Sequence, residues 1–394
     1  MKDVELTSWD AALEVIASVA RRKRFVLILD EFPYLCEGNA SLPSILQRWW
    51  DTAGRRTKIF LVLSGSYVSF MEKQVLAERS PLYGRRTGQL KLRPLPAWAV
   101  SRFFPGWSTR DRLTAFGLLG GIPGYLERFD PGKSWRVNLL REAFRPQGFL
   151  FEEVPFLLRM ELNHVATYLS LLTAIAAGAT RLTEIAARSK MTPTSLTPYL
   201  GTLQELGLVR REVLFTETRP DKSKRGIYRI DDPFVAFWCR FVLPQQSLIQ
   251  SWQGRTAFID LVEPYLDTHL GGIFEEVCRR FVAGRWMERF GDPVRRVGRL
   301  WGREYDFDLV AEAADRDVFR FLVGECKWWR SPVGVNVLEK LKRNLHYLPD
   351  SIRENARLVL FGSSGFTPAL RRRAAGERVV LVSGKELLDP AGAL

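Results

Sequence analysis

Two short apolar runs constrain this chain more than anything else in it. Phe25-Val-Leu-Ile-Leu29 and Ile59-Phe-Leu-Val-Leu63 contain no polar alternation. Each therefore reads as a strand buried on both faces, as in the middle of a parallel sheet. A helix is predicted between them around Ser41 to Ala53, capped by Asn39 or Ser41 and stopped by Gly54. Two buried strands joined through one helix make a parallel β-α-β unit with a right-handed crossover. Ahead of them, Trp9 to Arg22 sets Ala12, Leu13, Val15, Ile16 and Val19 on one helical face and closes on Arg21-Arg22-Lys23.

The first run ends in Asp30-Glu31 and the second in Ser64-Gly-Ser66. Acids carried out of a dry core at the C-terminal edge of a strand stand where open α/β sheets bind ligands. In nucleoside-triphosphatases the first acid of such a pair reaches the Mg²⁺ shell and the second polarises the attacking water. Asp30 and Glu31 are the candidates; a merely solvated acidic strand end is the alternative. Ser64 or Ser66 could sense a γ-phosphate, or cap a helix, the commoner role for such a serine. In Ser80-Pro-Leu-Tyr-Gly-Arg-Arg-Thr87, Arg85 or Arg86 could reach a nucleotide phosphate or stand in solvent.

At 394 residues the chain has room for two or three domains, and 46% hydrophobic with 26% charged residues is ordinary globular composition. A net charge of +14 brings nucleic acid into consideration as a partner. Cys36, Cys239, Cys278 and Cys326 form no Cys-x-x-Cys pair, which argues against zinc ribbons, dithiol redox chemistry and a secreted disulfide framework. The three histidines, His164, His269 and His346, are too scattered for a His-based metal site or triad. No apolar stretch approaches the roughly 18 residues of a membrane span, and no signal-peptide core opens the chain. A reducing, cytoplasmic protein without membrane partners is expected.

Leu113 to Phe156 reads as mostly helical. Thr180 to Lys190 reads as a short amphipathic helix, followed by a second helix with Thr192 as N-cap and Pro193 at its first position. Leu208 to Leu214 and Ile227 to Ile230 flank the basic turn Pro220-Asp-Lys-Ser-Lys-Arg-Gly226 as two strands, completing a winged helix. Thr194, Ser195 and Thr197 are candidates for base or phosphate contacts, and Lys222, Lys224 and Arg225 for phosphates. The second helix is poor in Arg and Lys, so non-specific DNA contact is favoured over sequence readout. A protein-docking role is the alternative. Phe234, Phe237, Trp238 and Phe241 recur at helical spacing and are expected in the core.

Toward the C-terminus, Gly272 to Phe281 is an amphipathic helix bearing Glu275 and Glu276. Glu304 to Ala311 is a strand whose period of two puts Glu304, Asp306 and Asp308 on one face. Val318 to Lys327 is its antiparallel partner, with Glu325 and Lys327 sharing a face. This order resembles the PD-(D/E)xK nuclease fold. Mg²⁺ favours hard oxygen ligands, which Asp308 and Glu325 could supply around a bound water. Lys327 would orient that water and Glu275 or Glu276 complete the shell. Ser331 to Leu345 is the next helix, with Lys340, Lys342 and Arg343 near a phosphate path; Leu358 to Phe361 and Val379 to Val382 are the last strands.

The succession of Leu29-Asp-Glu-Phe-Pro-Tyr-Leu35, Leu63-Ser-Gly-Ser66, Pro81-Leu-Tyr-Gly-Arg85 and Leu119-Gly-Gly-Ile-Pro-Gly-Tyr-Leu126 resembles the archaeal-type ATPases, a branch of the AAA-like P-loop NTPases. The resemblance implies an α/β chain with a partial ATPase core at 1–105, a helical lid at 106–165, a winged helix at 166–245 and a restriction-endonuclease-like domain at 246–394. It implies ATP and Mg²⁺ as cofactors, with Asp30 in the metal shell and Glu31, Ser64, Ser66 and Arg85 at the nucleotide. One motif departs from the family. Gly-x-x-x-x-Gly-Lys-Ser/Thr does not occur in this sequence, and with it go the backbone nest and lysine that hold the phosphates. The expectation is a chain that starts partway through the core, from a late start codon or a decayed gene, and binds ATP poorly unless an upstream segment supplies the loop. The leading expectation is a DNA-associated protein of this ATPase family. The alternatives are a Mg²⁺-dependent DNA nuclease centred on Asp308, Glu325 and Lys327, or a non-enzymatic winged-helix adaptor.

Overall fold

The computed structural model of the chain describes residues 8–65, 71, 75, 77–223, 225–313 and 321–389. Of the candidate site residues, Ser66 and Lys224 lie outside the described residues. The fold divides into two compact units. One runs to Leu92 and takes in Leu157–Asn163; the other takes Arg93–Phe156 and runs from His164 onward.

In the first unit, α1 (Trp9–Arg22) is capped by Ser8, whose hydroxyl accepts from the Ala11 amide at 3.2 Å. Strands β1 (Phe25–Leu29) and β2 (Ile59–Leu63) pair in parallel from Phe25↔Ile59 to Leu29↔Leu63, as the apolar runs predict. Between them lie α2 (Phe32–Gly38), which the spacing did not predict, and α3 (Leu42–Thr52). Leu13, Ala17, Leu29, Phe32, Leu46 and Trp49 form one core with the inward positions Leu27, Ile59, Leu61 and Leu63. Burial on both faces does not hold. Val26, Ile28 and Phe60 are 54%, 60% and 51% exposed. An apolar run reports what a strand can bury, whereas burying its second face takes a second layer. Among the described residues α1, α2 and α3 join the core with the other strand face.

The second unit begins with a largely helical region that includes α4 (Thr109–Leu119). This helix ends at Gly120, whose φ of +67° favours glycine. Gly121 follows because a Cβ there would lie 1.9 Å from the Leu95 carbonyl oxygen. Leu95 N–H donates to the Gly121 carbonyl at 2.8 Å, which fixes that approach. Helices α5 (Val165–Ala176), α6 (Leu182–Ser189) and α7 (Pro193–Glu205) precede antiparallel β3 (Val209–Glu212) and β4 (Ile227–Ile230). Helix, turn, helix and hairpin make the winged helix. Phe234, Phe237, Trp238 and Phe241 are all buried, as their spacing predicts.

The long helix α8 (Glu263–Phe290) leads into a five-stranded sheet of order β5-β6-β7-β8-β9. Its strands are β5 (Val294–Trp301), β6 (Asp306–Ala313), β7 (Phe321–Lys327), β8 (Ala356–Gly362) and β9 (Val380–Ser383). Strands β5, β6 and β7 are antiparallel neighbours, while β7, β8 and β9 run parallel. The parallel steps pass through α9 (Val335–Asn344) and α10 (Pro368–Glu377). This is the restriction-endonuclease-like arrangement expected for the C-terminal region. Leu214 bridges to Arg299 and Phe215 N–H donates to the Arg299 carbonyl at 2.8 Å. The chain leaving β3 thus covers part of the edge of β5, an edge that would otherwise offer free pairing groups.

Candidate functional site

At the C-terminal ends of β1 and β2 the parallel register brings Asp30 and Ser64 together. Ser64 Oγ donates to Asp30 Oδ1 at 2.7 Å, and the Glu31 amide donates to the same oxygen at 3.0 Å. These two donors hold the exposed Asp30 carboxyl below the usual carboxylate range. Backbone bonds lock the rim: Ser64 N–H to the Leu29 carbonyl at 3.1 Å and Phe32 N–H to the Ser64 carbonyl at 2.8 Å. Glu31 adopts φ 47°, ψ 46°, a left-handed conformation costly for a residue with a Cβ. That turn re-aims the chain from β1 into α2.

Arg85 is held elsewhere. Its guanidinium forms a two-pronged pair with Asp51, Nε at 3.0 Å and Nη2 at 2.6 Å, and Nη1 donates to the Pro81 and Tyr83 carbonyls. Asp51 pushes its pKa up in turn. In this structure the arginine closes its own turn onto α3, a contact its sequence neighbourhood did not signal.

The C-terminal candidates gather around β6, β7 and α8. Gly298 pairs with Val310 and Leu300 with Phe307, so Asp308 and Leu309 both stand opposite Arg299. This is a β-bulge, a device that re-aims side chains. Asp308 is buried, and its Oδ2 accepts from the Cys326 amide at 2.8 Å. Burial first, then the charges of Glu275 and Glu325, pushes its carboxyl up to about 8. Glu325 and Lys327, on β7, pair at 2.5 Å. Burial pulls the Lys327 ammonium down, but Glu325 and Asp308 more than offset that and raise it.

Of the predicted face of Glu304, Asp306 and Asp308, the strand holds Asp306 and Asp308, both near Arg299. Glu304 precedes the strand and accepts from the Tyr347 hydroxyl at 3.1 Å, while Asp306 is exposed and pairs with Arg299 at 3.0 Å. The predicted metal set also needs revision. Among the described residues no group of three or more His, Cys, Asp or Glu side chains could hold a metal ion. Glu275 faces arginines instead, with Arg299 at 3.6 Å and Arg279 at 3.8 Å. Burial raises its carboxyl even so. A Mg²⁺ site requires only one or two protein carboxylates, water completing the octahedron. Asp308 and Glu325, on adjacent strands and close enough that the Glu325 charge disfavours ionisation of Asp308, meet that count.

Sequence reasoning missed the arginines that hold this cluster. Arg279 is buried. It bonds the Asp308 carbonyl at 2.8 Å and Glu276 at 3.1 Å. From Glu276 the chain of charges continues to Arg210 at 3.0 Å, and from Arg210 to Glu212 at 2.7 Å and Asp231 at 2.6 Å. The wing strands are thereby wired to the helix beside Asp308. Only the spacing of Glu275 and Glu276 with Arg279 and Arg280, three and four apart on one helix, could have flagged part of it.

On the winged helix, Thr194, Ser195 and Thr197 are exposed. Ser195 Oγ donates to the Thr192 carbonyl at 3.0 Å and Thr197 Oγ1 to that of Pro193 at 3.0 Å. Those hydroxyls turn back onto their own helix, and Thr192 uses its side chain as the N-cap. No Arg or Lys occurs in α7. At the wing, Lys222 and Arg225 are exposed. On α9 Lys342 is tied to Glu377 of α10 at 2.5 Å, leaving Lys340 and Arg343 as the exposed cations of α9.

Comparison with known proteins follows the same order along the chain. Residues 2–129 match an ATPase domain found predominantly in Archaea. Residues 168–213 match the IclR helix-turn-helix domain, and residues 238–340 a domain of archaeal and bacterial proteins of unknown function. An uncharacterized protein of Methanocaldococcus jannaschii is 36% identical over 306 residues, 77% of this chain and 67% of that protein. Among solved structures, EndoMS with double-stranded DNA overlaps 28% of this chain and 43% of its own, at 14% identity and a TM-score of 0.22. Restriction endonuclease FokI bound to DNA overlaps 57% and 43%, at 13% identity and a TM-score of 0.20. Protein VC1899 from Vibrio cholerae overlaps 96% and 92%, at 11% identity and a TM-score of 0.23.

Proposed function

Because this chain belongs to the family of predominantly archaeal ATPase-domain proteins, we propose that it is a DNA-associated member of it whose C-terminal cluster cleaves phosphodiester bonds with Mg²⁺. The observation that carries the reading is the convergence of Asp308, Glu325 and Lys327 on adjacent strands, with Asp308 buried beside two further negative charges. A carboxyl that burial and neighbouring carboxylates keep from ionising is what a divalent cation relieves. Asp308 and Glu325 would hold the ion, which supplies charge neutralisation at the phosphate and a more acidic water. Lys327 holds a positive charge beside Glu325 and stabilises charge that develops on a phosphate oxygen. The exposed wing cations Lys222 and Arg225 support backbone contact with DNA, while the neutral recognition helix supports binding without sequence readout.

The test is nicking of supercoiled plasmid in Mg²⁺ or Mn²⁺. Asp308→Ala, Glu325→Gln and Lys327→Met should each lower cleavage by at least about a hundredfold, and chelation should abolish it. Absence of cleavage by the parent protein, or cleavage indifferent to these changes, rejects the assignment.

A second reading has its own observation. The Ser64–Asp30 hydrogen bond at 2.7 Å sets a hydroxyl against a carboxylate at the C-terminal rim of a parallel pair, which suits a Mg²⁺-nucleotide. With no Gly-rich phosphate loop in the sequence, equilibrium dialysis should find weak ATP binding at best. Tight, Mg²⁺-dependent binding that Asp30→Asn removes would instead make this rim a working nucleotide site.

A further inference from the structure

The opposite rim of the same two-stranded sheet carries a concentration of charge that neither site uses. Arg21, Arg22, Lys23 and Arg24 join α1 to β1, and Arg55, Arg56 and Lys58 precede β2. All seven are exposed. The two turns abut: Lys58 N–H donates to the Ala20 carbonyl at 2.9 Å, and Phe25 N–H to the Lys58 carbonyl at 3.2 Å. Thr57 alone interrupts the cations of 21–24 and 55–58. None of the seven makes a salt bridge within 4.0 Å among the described residues, although Arg55 lies near enough to Asp51 to help hold that carboxyl down. Asp51, one turn upstream, is already bonded twice by Arg85.

Arg21 and Arg22 close α1, where cations complement the helix terminus. That accounts for two of the seven. The rest gain nothing from one another, since like charges at this spacing repel. Five residues of strand separate this rim from Asp30 and Ser64, about 16 Å at the usual rise, so the cluster cannot serve a nucleotide held there. The eight residues of the two turns include no apolar side chain, which binding into a membrane interface requires. A phosphate backbone requires only charge.

We propose that this basic rim is a second, sequence-independent nucleic-acid surface, gripping the phosphate backbone through Arg21–Arg24 and Arg55–Lys58. It stands apart from the carboxylate cluster: loss of cleavage in Asp308→Ala neither supports nor weakens it.

The experiment measures binding of the full chain to a fluorescent 25-base-pair duplex and a 25-nucleotide single strand, each of random sequence, between 50 and 200 mM NaCl. The variant replaces Arg22, Arg24, Arg55 and Arg56 together with Glu; a second replaces the same four with Gln. Loss of these contacts should weaken binding at low salt at least tenfold in the Glu variant and less in the Gln variant. The slope of log affinity against log salt should become shallower by about 0.9 for each lost phosphate contact. Circular dichroism should stay unchanged in the Gln variant, which decides the matter if the Glu variant does not fold. Unchanged affinity and slope, or no nucleic-acid binding by the parent chain, overturns the proposal. So does a loss seen only against phosphatidylglycerol vesicles, which would make the rim a membrane surface.

Discussion

Asp308 joins in one residue a cost to the fold and a part in the proposed chemistry. Its carboxyl is pushed up to about 8 by burial, Glu275 and Glu325, against an ordinary value of 3.8 in the unfolded chain. Between those values the folded state binds the extra proton. Stability contributed by that proton is therefore full below the unfolded value and lost as pH rises through the folded one. Asp308→Asn, which keeps an oxygen for the Cys326 amide, should flatten this decline and raise the metal-free melting temperature at pH 8. Mg²⁺ at pH 8 should stabilise the parent protein and leave the Asn variant unmoved. Thermal melts across pH 5 to 9 check both, and identical profiles would remove Asp308 from the proposed centre. The sequence named Asp308, Glu325 and Lys327 because alternation along two strands is a local property. It misplaced Glu304, since the strand starts two residues later and a bulge follows.

Elements rather than single residues hold that centre in place. Helix α8 supplies Glu275, Glu276, Arg279 and Arg280, and the wing strands meet it through Arg210, Glu212 and Asp231. Glu212 lies in a buried setting that disfavours its charge, yet Arg210 and Arg229 hold its carboxyl below the usual range. Charges so deep are costly unless every partner stays. Arg279→Met should thus destabilise the second unit by about 3–5 kcal/mol, because Glu276 and the Asp308 carbonyl lose a buried donor. Urea unfolding followed by tryptophan fluorescence measures it; a cost under 1 kcal/mol would mean that water or a neighbour replaces the guanidinium. The helical spacing of Glu275, Glu276, Arg279 and Arg280 was legible beforehand, but the bonds from wing to helix were not. Arg210 and Glu276 are far apart in the chain, and nothing local links a wing strand to a helix beyond it.

At the scale of the molecule, a net charge of +14 opposes self-association while the exposed face of the two-stranded sheet favours it. Val26, Ile28 and Phe60 form an exposed apolar set beside strand edges that are unpaired among the described residues, a combination that invites self-association. The double change Ile28→Thr and Phe60→Thr keeps β-branched or strand-compatible residues while removing that apolar surface. Light scattering and dye binding should both fall in this variant, with the far-ultraviolet spectrum retained. Equal scattering before and after would show that this face is not what makes the chain adhere. The sequence foresaw these strands but not their half-covered state.

What the chain determined alone was everything set by near neighbours: the two apolar strands, the Thr192-Pro193 helix start, the glycines after α4, and the order of acids and lysine on β6 and β7. Side-chain period and backbone freedom act over a few residues, so a string of letters carries them. Tertiary structure decided which partners those residues met. It turned Arg85 onto Asp51, joined Ser64 to Asp30, gave Glu275 to arginines, and closed the wing onto the edge of β5. Those outcomes depend on which surfaces meet across tens to hundreds of residues, where desolvation and charge are balanced only once the chain has folded.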